Sequence, residues 1–128
     1  MHENEISGRI IGCAIEVHRE LGPGLLESVY EEALCHELNL AGLSFKRQQS
    51  VPIPYKGVIL ATPLRLDLWV ENKVIVDLKA VSHVPPVEAA KLLTYLRLSK
   101  MRLGLLLNFH MERLKDGIER VVNDLPED

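Results

Sequence analysis

Leu64-Arg65-Leu66-Asp67-Leu68-Trp69-Val70 and, three residues on, Val74-Ile75-Val76-Asp77-Leu78-Lys79 form the stretch that decides the fold. In the first segment Leu64, Leu66, Leu68 and Val70 alternate with Arg65, Asp67 and Trp69. In the second, Val74, Val76, Leu78 and Ala80 alternate with Ile75, Asp77, Lys79 and Val81. A period of two predicts strands, and Glu71-Asn72-Lys73 is short enough to join them as a hairpin. Opposed residues of an antiparallel pair share a sheet face, so matching the apolar faces sets Val70 opposite Val74. Leu68 then faces Val76, Leu66 faces Leu78, and Asp67 faces Asp77. A slip of one residue would set apolar positions against charged ones.

Two carboxylates across a ladder lie about 5 Å apart at Cβ and repel. Protonation of one, solvation of both at the sheet rim, or a cation between them would relieve the repulsion. Hard divalent cations such as Mg²⁺ take one or two carboxylates together with water and substrate phosphate. Lys79 lies two residues beyond Asp77 and projects from the same face, as does Trp69. A carboxylate pair with one lysine suits metal-assisted phosphodiester hydrolysis: the metal lowers the pKa of a bound water, and the lysine orients it or stabilises developing charge. A solvated polar face with Lys79 as counter-ion fits the same spacing.

Working outward, Ile6, Ile10, Cys13 or Ala14, Val17 and Leu21 predict a helix over 5–21, ended by Leu21-Gly22-Pro23-Gly24. A second helix is expected from Leu25 to Ala41, with Leu26, Val29, Tyr30, Ala33, Leu34 and Leu38 on one face. Val51, Ile53 and Tyr55, interleaved with prolines, predict an edge strand with a turn at Lys56-Gly57. A helix follows Pro85-Pro86 to about Lys100, and Leu103–Phe109 reads as a strand buried on both faces. Leu114, Ile118, Val121 and Val122 predict a last helix. The reading is an α/β domain over 1–128: a mixed sheet flanked by helices, with the third and fourth strands parallel across a crossover.

The 128 residues are 47% hydrophobic and 26% charged, which fits a globular domain. No run of about 18 apolar residues is present, so no membrane span is expected. The acidic start, Met1-His2-Glu3-Asn4-Glu5, carries no export signal, and Cys13 and Cys35 lack Cys-x-x-Cys spacing, so a cytoplasmic protein with reduced thiols is expected. A net charge of −3 argues at first against nucleic acid. By segment, however, residues 1–40 carry −6, residues 41–110 carry +6 and residues 111–128 carry −3. The paired aspartates lie in the basic middle. His18, His36, His83 and His110 show no metal-ligand spacing, though His83 is close to Lys79 in sequence. The Gly8-x-x-x-Gly12 spacing in a soluble helix reads as close packing.

These residues carry a resemblance. Gly24-Leu25-Leu26-Glu27-Ser28-Val29-Tyr30, Val51-Pro52-Ile53-Pro54-Tyr55-Lys56-Gly57, Arg65-Leu66-Asp67, Val76-Asp77-Leu78-Lys79-Ala80 and Leu103–Phe109 resemble, in order, the motifs of the GxxExxY family of the PD-(D/E)xK nuclease-like superfamily. The resemblance implies a restriction-endonuclease-like core (α-β-β-β-α-β) with extra N- and C-terminal helices, and a Mg²⁺- or Mn²⁺-dependent nuclease acting on DNA or RNA. It implies Asp67 and Asp77 as metal ligands, Lys79 as the motif lysine, and Glu27 as an additional acid from the early helix. At 100° per residue Glu27 falls between Leu34 and Leu38, along the edge of the buried face. Lys91 and Tyr95, one helical turn apart, would line the site against substrate.

Two positions depart from the family, which usually has glutamate at Asp77 and glutamine at Lys91. Lys91 would contact substrate phosphate, or it would compete with metal for the aspartates. In the second case the chain would be a degenerate nuclease fold serving as a nucleic-acid-binding or protein-interaction module. So small a domain leaves room for a homodimer or a protein partner.

Overall fold

The helical spacing of the first forty residues produces α1 (Glu3–Leu21) and α2 (Glu27–Leu40) in a computed structural model that describes residues 1–127. Ile6, Ile10, Ala14 and Val17 form the buried stripe of α1, and the His2 side chain caps its start by accepting from the Asn4 N–H. Tyr30, Leu34 and Leu38 are buried on α2. Leu26 and Val29, expected on that face, are exposed, Leu26 because it precedes the helix as its cap.

The strands follow as β1 (Phe45–Val51), β2 (Pro54–Tyr55), β3 (Val58–Ile59), β4 (Leu64–Val70) and β5 (Val74–Lys79). After them come α3 (Val87–Ser99), β6 (Leu103–Asn108), a 3₁₀ turn at Leu114–Gly117 and β7 (Ile118–Val122). The main sheet runs β1-β4-β5-β6-β7, while β2 and β3 pair apart from it. β5 and β6 are parallel across α3, as expected, and the other main-sheet pairs are antiparallel.

Two cores sandwich this sheet. Residues of α1 and α2 pack on Leu68, Val70, Val76, Leu78, Leu105 and Leu107. On the other face Leu92 and Leu96 of α3 pack on Leu64, Leu66, Ile75 and Leu106. Coverage of both faces explains why β6 is buried throughout and apolar from Leu103 to Leu107. Gly104 lets α3 approach closely, since a Cβ there would sit 3.0 Å from Leu92.

Three expectations need correction. The C-terminal helix is a 3₁₀ turn and a strand: Leu114, Ile118 and Val121 satisfy helical spacing, but the β-branched Ile118, Val121 and Val122 pair with the edge of β6, and Gly117 lets the turn before them lie against the Asn108 carbonyl. The first sheet strand lies earlier than Val51–Tyr55, at Phe45–Val51. Pro52 ends it, and Pro54–Tyr55 turns at Lys56-Gly57 into the separate hairpin. Finally, a Cβ at Gly8 or Gly12 would meet nothing within 4 Å, so their spacing is not a packing contact.

Candidate active site

β4 and β5 hydrogen-bond in the expected register, Val70 with Val74 and Leu68 with Val76, and then part. The continuation that would pair Leu66 with Leu78 and Asp67 with Asp77 does not form. Instead the Asp67 carboxylate reaches across, and Oδ2 accepts the Leu78 N–H at 2.9 Å. β5 stays paired with β6 as far as Lys79 and Asn108. On the other side, β1 skips its partner opposite Asp67, where Gln48 adopts a left-handed φ of 51°. Leu68 and Val70 belong to the α1/α2 core, whereas Leu64 and Leu66 belong to the α3 core. β4 therefore passes between layers at Asp67, and the strands fork there.

The fork opens a cavity of about 100 Å³ lined by Glu27, Asp67, Asp77, Lys79, Lys91 and Tyr95, with Arg65, Ile75, Val76 and Leu92. All six residues singled out in the sequence thus meet around one space. Glu27 arrives as the first residue of α2. The connection before it turns at Gly24, whose φ of 98° suits glycine. Tyr30 then locks that connection: its hydroxyl donates to the Gly22 carbonyl (2.5 Å) and accepts from the Leu25 N–H (3.1 Å), while its ring stacks on Phe109. The glycine and the tyrosine of the motif shape the approach that delivers the glutamate.

Electrostatics single out Asp77. Burial, with the Asp67 charge adding to it, pushes its carboxyl up to about 6 against the pull of Lys79. Glu27 is raised for the same reasons, burial first and Asp67 next. Burial alone would lower the Lys79 ammonium, but the Asp77 and Glu88 charges outweigh it and raise the pKa. Lys79 is therefore a fixed positive charge at neutral pH. Its Nζ stands 3.4 Å from Asp77 Oδ1 and 3.4 Å from Glu88 Oε2. Lys91 pairs loosely with Glu88, at 3.9 Å, and lies 5.5 Å from the centre of the Tyr95 ring. It forms no ion pair with either aspartate among the described residues. Glu88 Oε2 is buried without an aligned hydrogen bond, so the two ammonium groups hold it by charge rather than by directed donors.

Sequence reasoning passed over several neighbours. Glu31, one turn after Glu27, is buried and accepts from Arg47 Nε (2.6 Å) and Gln48 Nε2 (2.7 Å), and Gln48 Nε2 also lies 3.4 Å from Asp67 Oδ1. The i, i+4 spacing of the two glutamates was the available signal. Glu88 carried none, since its role depends on α3 docking beside β5. Arg65 shares the alternating face of Asp67, and that was its signal. Conversely, His83 lines a separate cavity of about 360 Å³ with Asn108 and Asp116, and His18 is buried against the Met111 carbonyl. Trp69 packs beside the α3 core under Lys46.

The donor set suits a hard divalent cation. Asp67 and Asp77 face one small cavity. Glu27 has no hydrogen bond or ion pair among the described residues, and Asp77 has only Lys79. Lone pairs therefore remain for a cation with a mixed shell of one or two carboxylates and water. Among the described residues, no three acidic, histidine or cysteine side chains converge as a ready ligand set. The fit accordingly rests on the two aspartates, with Glu27 adjoining. No helix among the described residues is long and apolar enough to cross a membrane.

A sequence model of the PD-(D/E)XK nuclease superfamily matches residues 4–121. No curated protein and no solved structure matches the chain.

Proposed function

The chain belongs to the PD-(D/E)XK nuclease superfamily, and from that premise we propose that it is a metal-dependent nuclease of the GxxExxY type, hydrolysing phosphodiester bonds in DNA or RNA. The observation that carries the proposal is the meeting of Glu27, Asp67, Asp77 and Lys79 around one cavity at the strand fork. Asp67 and Asp77 would hold Mg²⁺ or Mn²⁺, with Glu27 supporting them. The bound ion supplies a water activated at neutral pH and charge stabilisation at the phosphoryl oxygens.

The side chains do the rest. Asp67, fixed by the Leu78 amide, is oriented before substrate arrives. The raised Asp77 carboxyl gives up its proton to become a ligand, so proton and cation compete there. Lys79 stays protonated and acts as a charge and hydrogen-bond donor near the reacting phosphate rather than as a base. Lys91 and Tyr95 flank the opening and would meet substrate. The direction of Lys91 toward Glu88 supports an open site over one blocked by that lysine. Hydrolysis adds water across a P–O bond and leaves a phosphate monoester end and a hydroxyl.

Residues 1–128 act as one nuclease-like domain, and the two free cysteines fit a reducing cytoplasm. The test is incubation of purified protein with labelled single- and double-stranded DNA and RNA in Mg²⁺ or Mn²⁺. Metal-dependent cleavage lost in Asp77→Ala is expected. Cleavage unchanged in that variant would sink the assignment.

A further inference from the structure

The β2–β3 hairpin forms a sheet of its own, immediately before β4, the strand that carries Asp67, along the chain. Its pairs are Pro54 with Ile59 and Tyr55 with Val58, closed by a two-residue turn at Lys56-Gly57. Both turn residues have left-handed φ values, 46° and 85°. Glycine, asparagine and aspartate suit the first turn position, and a lysine there is held at a conformational cost. A strained residue at an exposed tip is a pointer to use rather than to stability.

What surrounds that lysine indicates the use. Tyr55 is 55% exposed and is the only aromatic among the exposed large apolar residues described. The Lys56 ammonium lies over its ring, 5.5 Å from the centre. No acidic residue occurs from residue 38 to residue 66, a span holding Lys46, Arg47, Lys56 and Arg65. Of these cations only Arg47 is in an ion pair among the described residues. Arg65, just past the hairpin at the start of β4, opens onto the cavity at the strand fork. Tyr55 pairs across the hairpin with Val58, and Ile53, two residues before Tyr55, packs on the α3 core, as Tyr95 does. The hairpin's Tyr55 side therefore continues the α3 side of the cavity.

We propose that this hairpin is a grip for an unpaired nucleic-acid strand, with Tyr55 stacking on a base while Lys56 and Arg65 hold successive phosphates on the way to the fork. The inference rests on the nuclease reading and adds to it the form of the substrate. An exposed π-face with adjacent cations is what single-strand binding requires, because every base can stack and every phosphate attracts a cation. The exposed Val58, Ile59 and Leu60 alone would suit a second copy of the chain. The unpaired cations leading into the cavity favour substrate.

Fluorescence anisotropy with a labelled 20-mer of deoxythymidine, in EDTA to prevent cleavage and over a range of salt, tests the grip. Tyr55→Ala should weaken binding about tenfold, and Tyr55→Phe should restore it. Lys56→Asn puts a residue better suited to the turn at the tip, so the fold is kept. It should lower the slope of log affinity against log salt by about 0.7, the value for one phosphate contact on a single strand. Hairpin variants that bind as wild type does, or that change only the sedimentation of the protein, would overturn the grip and leave the nuclease reading standing. A wild type that binds no oligonucleotide would overturn the grip as well, whereas the nuclease reading falls only if metal-dependent cleavage of single- and double-stranded DNA and RNA is absent.

Discussion

Asp77→Asn should make the metal-free protein more stable while abolishing its chemistry. Asp77 is pushed from the ordinary aspartate value of 3.8 to about 6, burial being the largest cause. A folded-state pKa raised above the unfolded one means that the native state holds the proton more tightly. The stabilisation from that proton is fully present below about pH 4 and is lost as pH rises through about 6. At pH 7.5 the ionised carboxylate therefore costs the fold about 3 kcal/mol, taking roughly 1.4 kcal/mol for each pH decade between the two values. Asparagine keeps the shape and removes the charge. Urea unfolding in EDTA at pH 7.5 should show the variant more stable by about 2–3 kcal/mol, and the gap should close toward pH 4. Added Mg²⁺ should then stabilise wild type, through mass action on the folded state, and not the variant. A variant equal to or less stable than wild type at pH 7.5 would refute the burial argument.

Other perturbations separate structure from chemistry. Lys79→Met should cut cleavage by roughly 10²–10³-fold, the loss expected on removing one charged donor from a transition state, while calorimetric Mn²⁺ affinity stays within a few-fold. Glu31→Ala strips Arg47 and Gln48 of their shared acceptor, a side chain only 8% exposed, and should cost about 1–3 kcal/mol in urea unfolding. Gly104→Ala forces a methyl to 3.0 Å from Leu92 and should destabilise by about 1–3 kcal/mol. Shortening Leu92 to alanine in the same chain should recover part of that loss, a coupling that a double-mutant cycle measures.

The core of the fold was readable where burial leaves only one pattern. β4 and β5 must present apolar residues on alternate positions, so Val70 opposite Val74 followed from matching faces, and β6, buried on both sides, could only be continuously apolar. β1 was missed because it lies at a sheet edge: Lys46, Arg47, Gln48, Gln49 and Ser50 face largely outward and show no alternation. β7 was misassigned because Leu114, Ile118 and Val121 fit a helical stripe, whereas the pairing of Ile118–Val122 with the edge of β6 is a tertiary contact that spacing does not announce. The site shows the same division. That Asp67, Asp77 and Lys79 come together around one space was readable from strand alternation and motif. Their exact relation was not, since the parting of β4 from β5 and the Asp67 bond to the Leu78 amide depend on how both helical layers twist β4. Glu31 and Arg65 carried a local signal, in helical spacing from Glu27 and in strand alternation with Asp67, whereas Glu88 takes its role from the docking of α3 beside β5, which no local pattern announces.

The central claim is that the forked strands hold a divalent cation between Asp67 and Asp77. Isothermal titration of Mn²⁺ into wild type and Asp67→Ala at pH 7.5 tests it most directly. A saturable binding heat in wild type that disappears in the variant is expected. No saturable heat in wild type, or the same heat in both proteins, would contradict it.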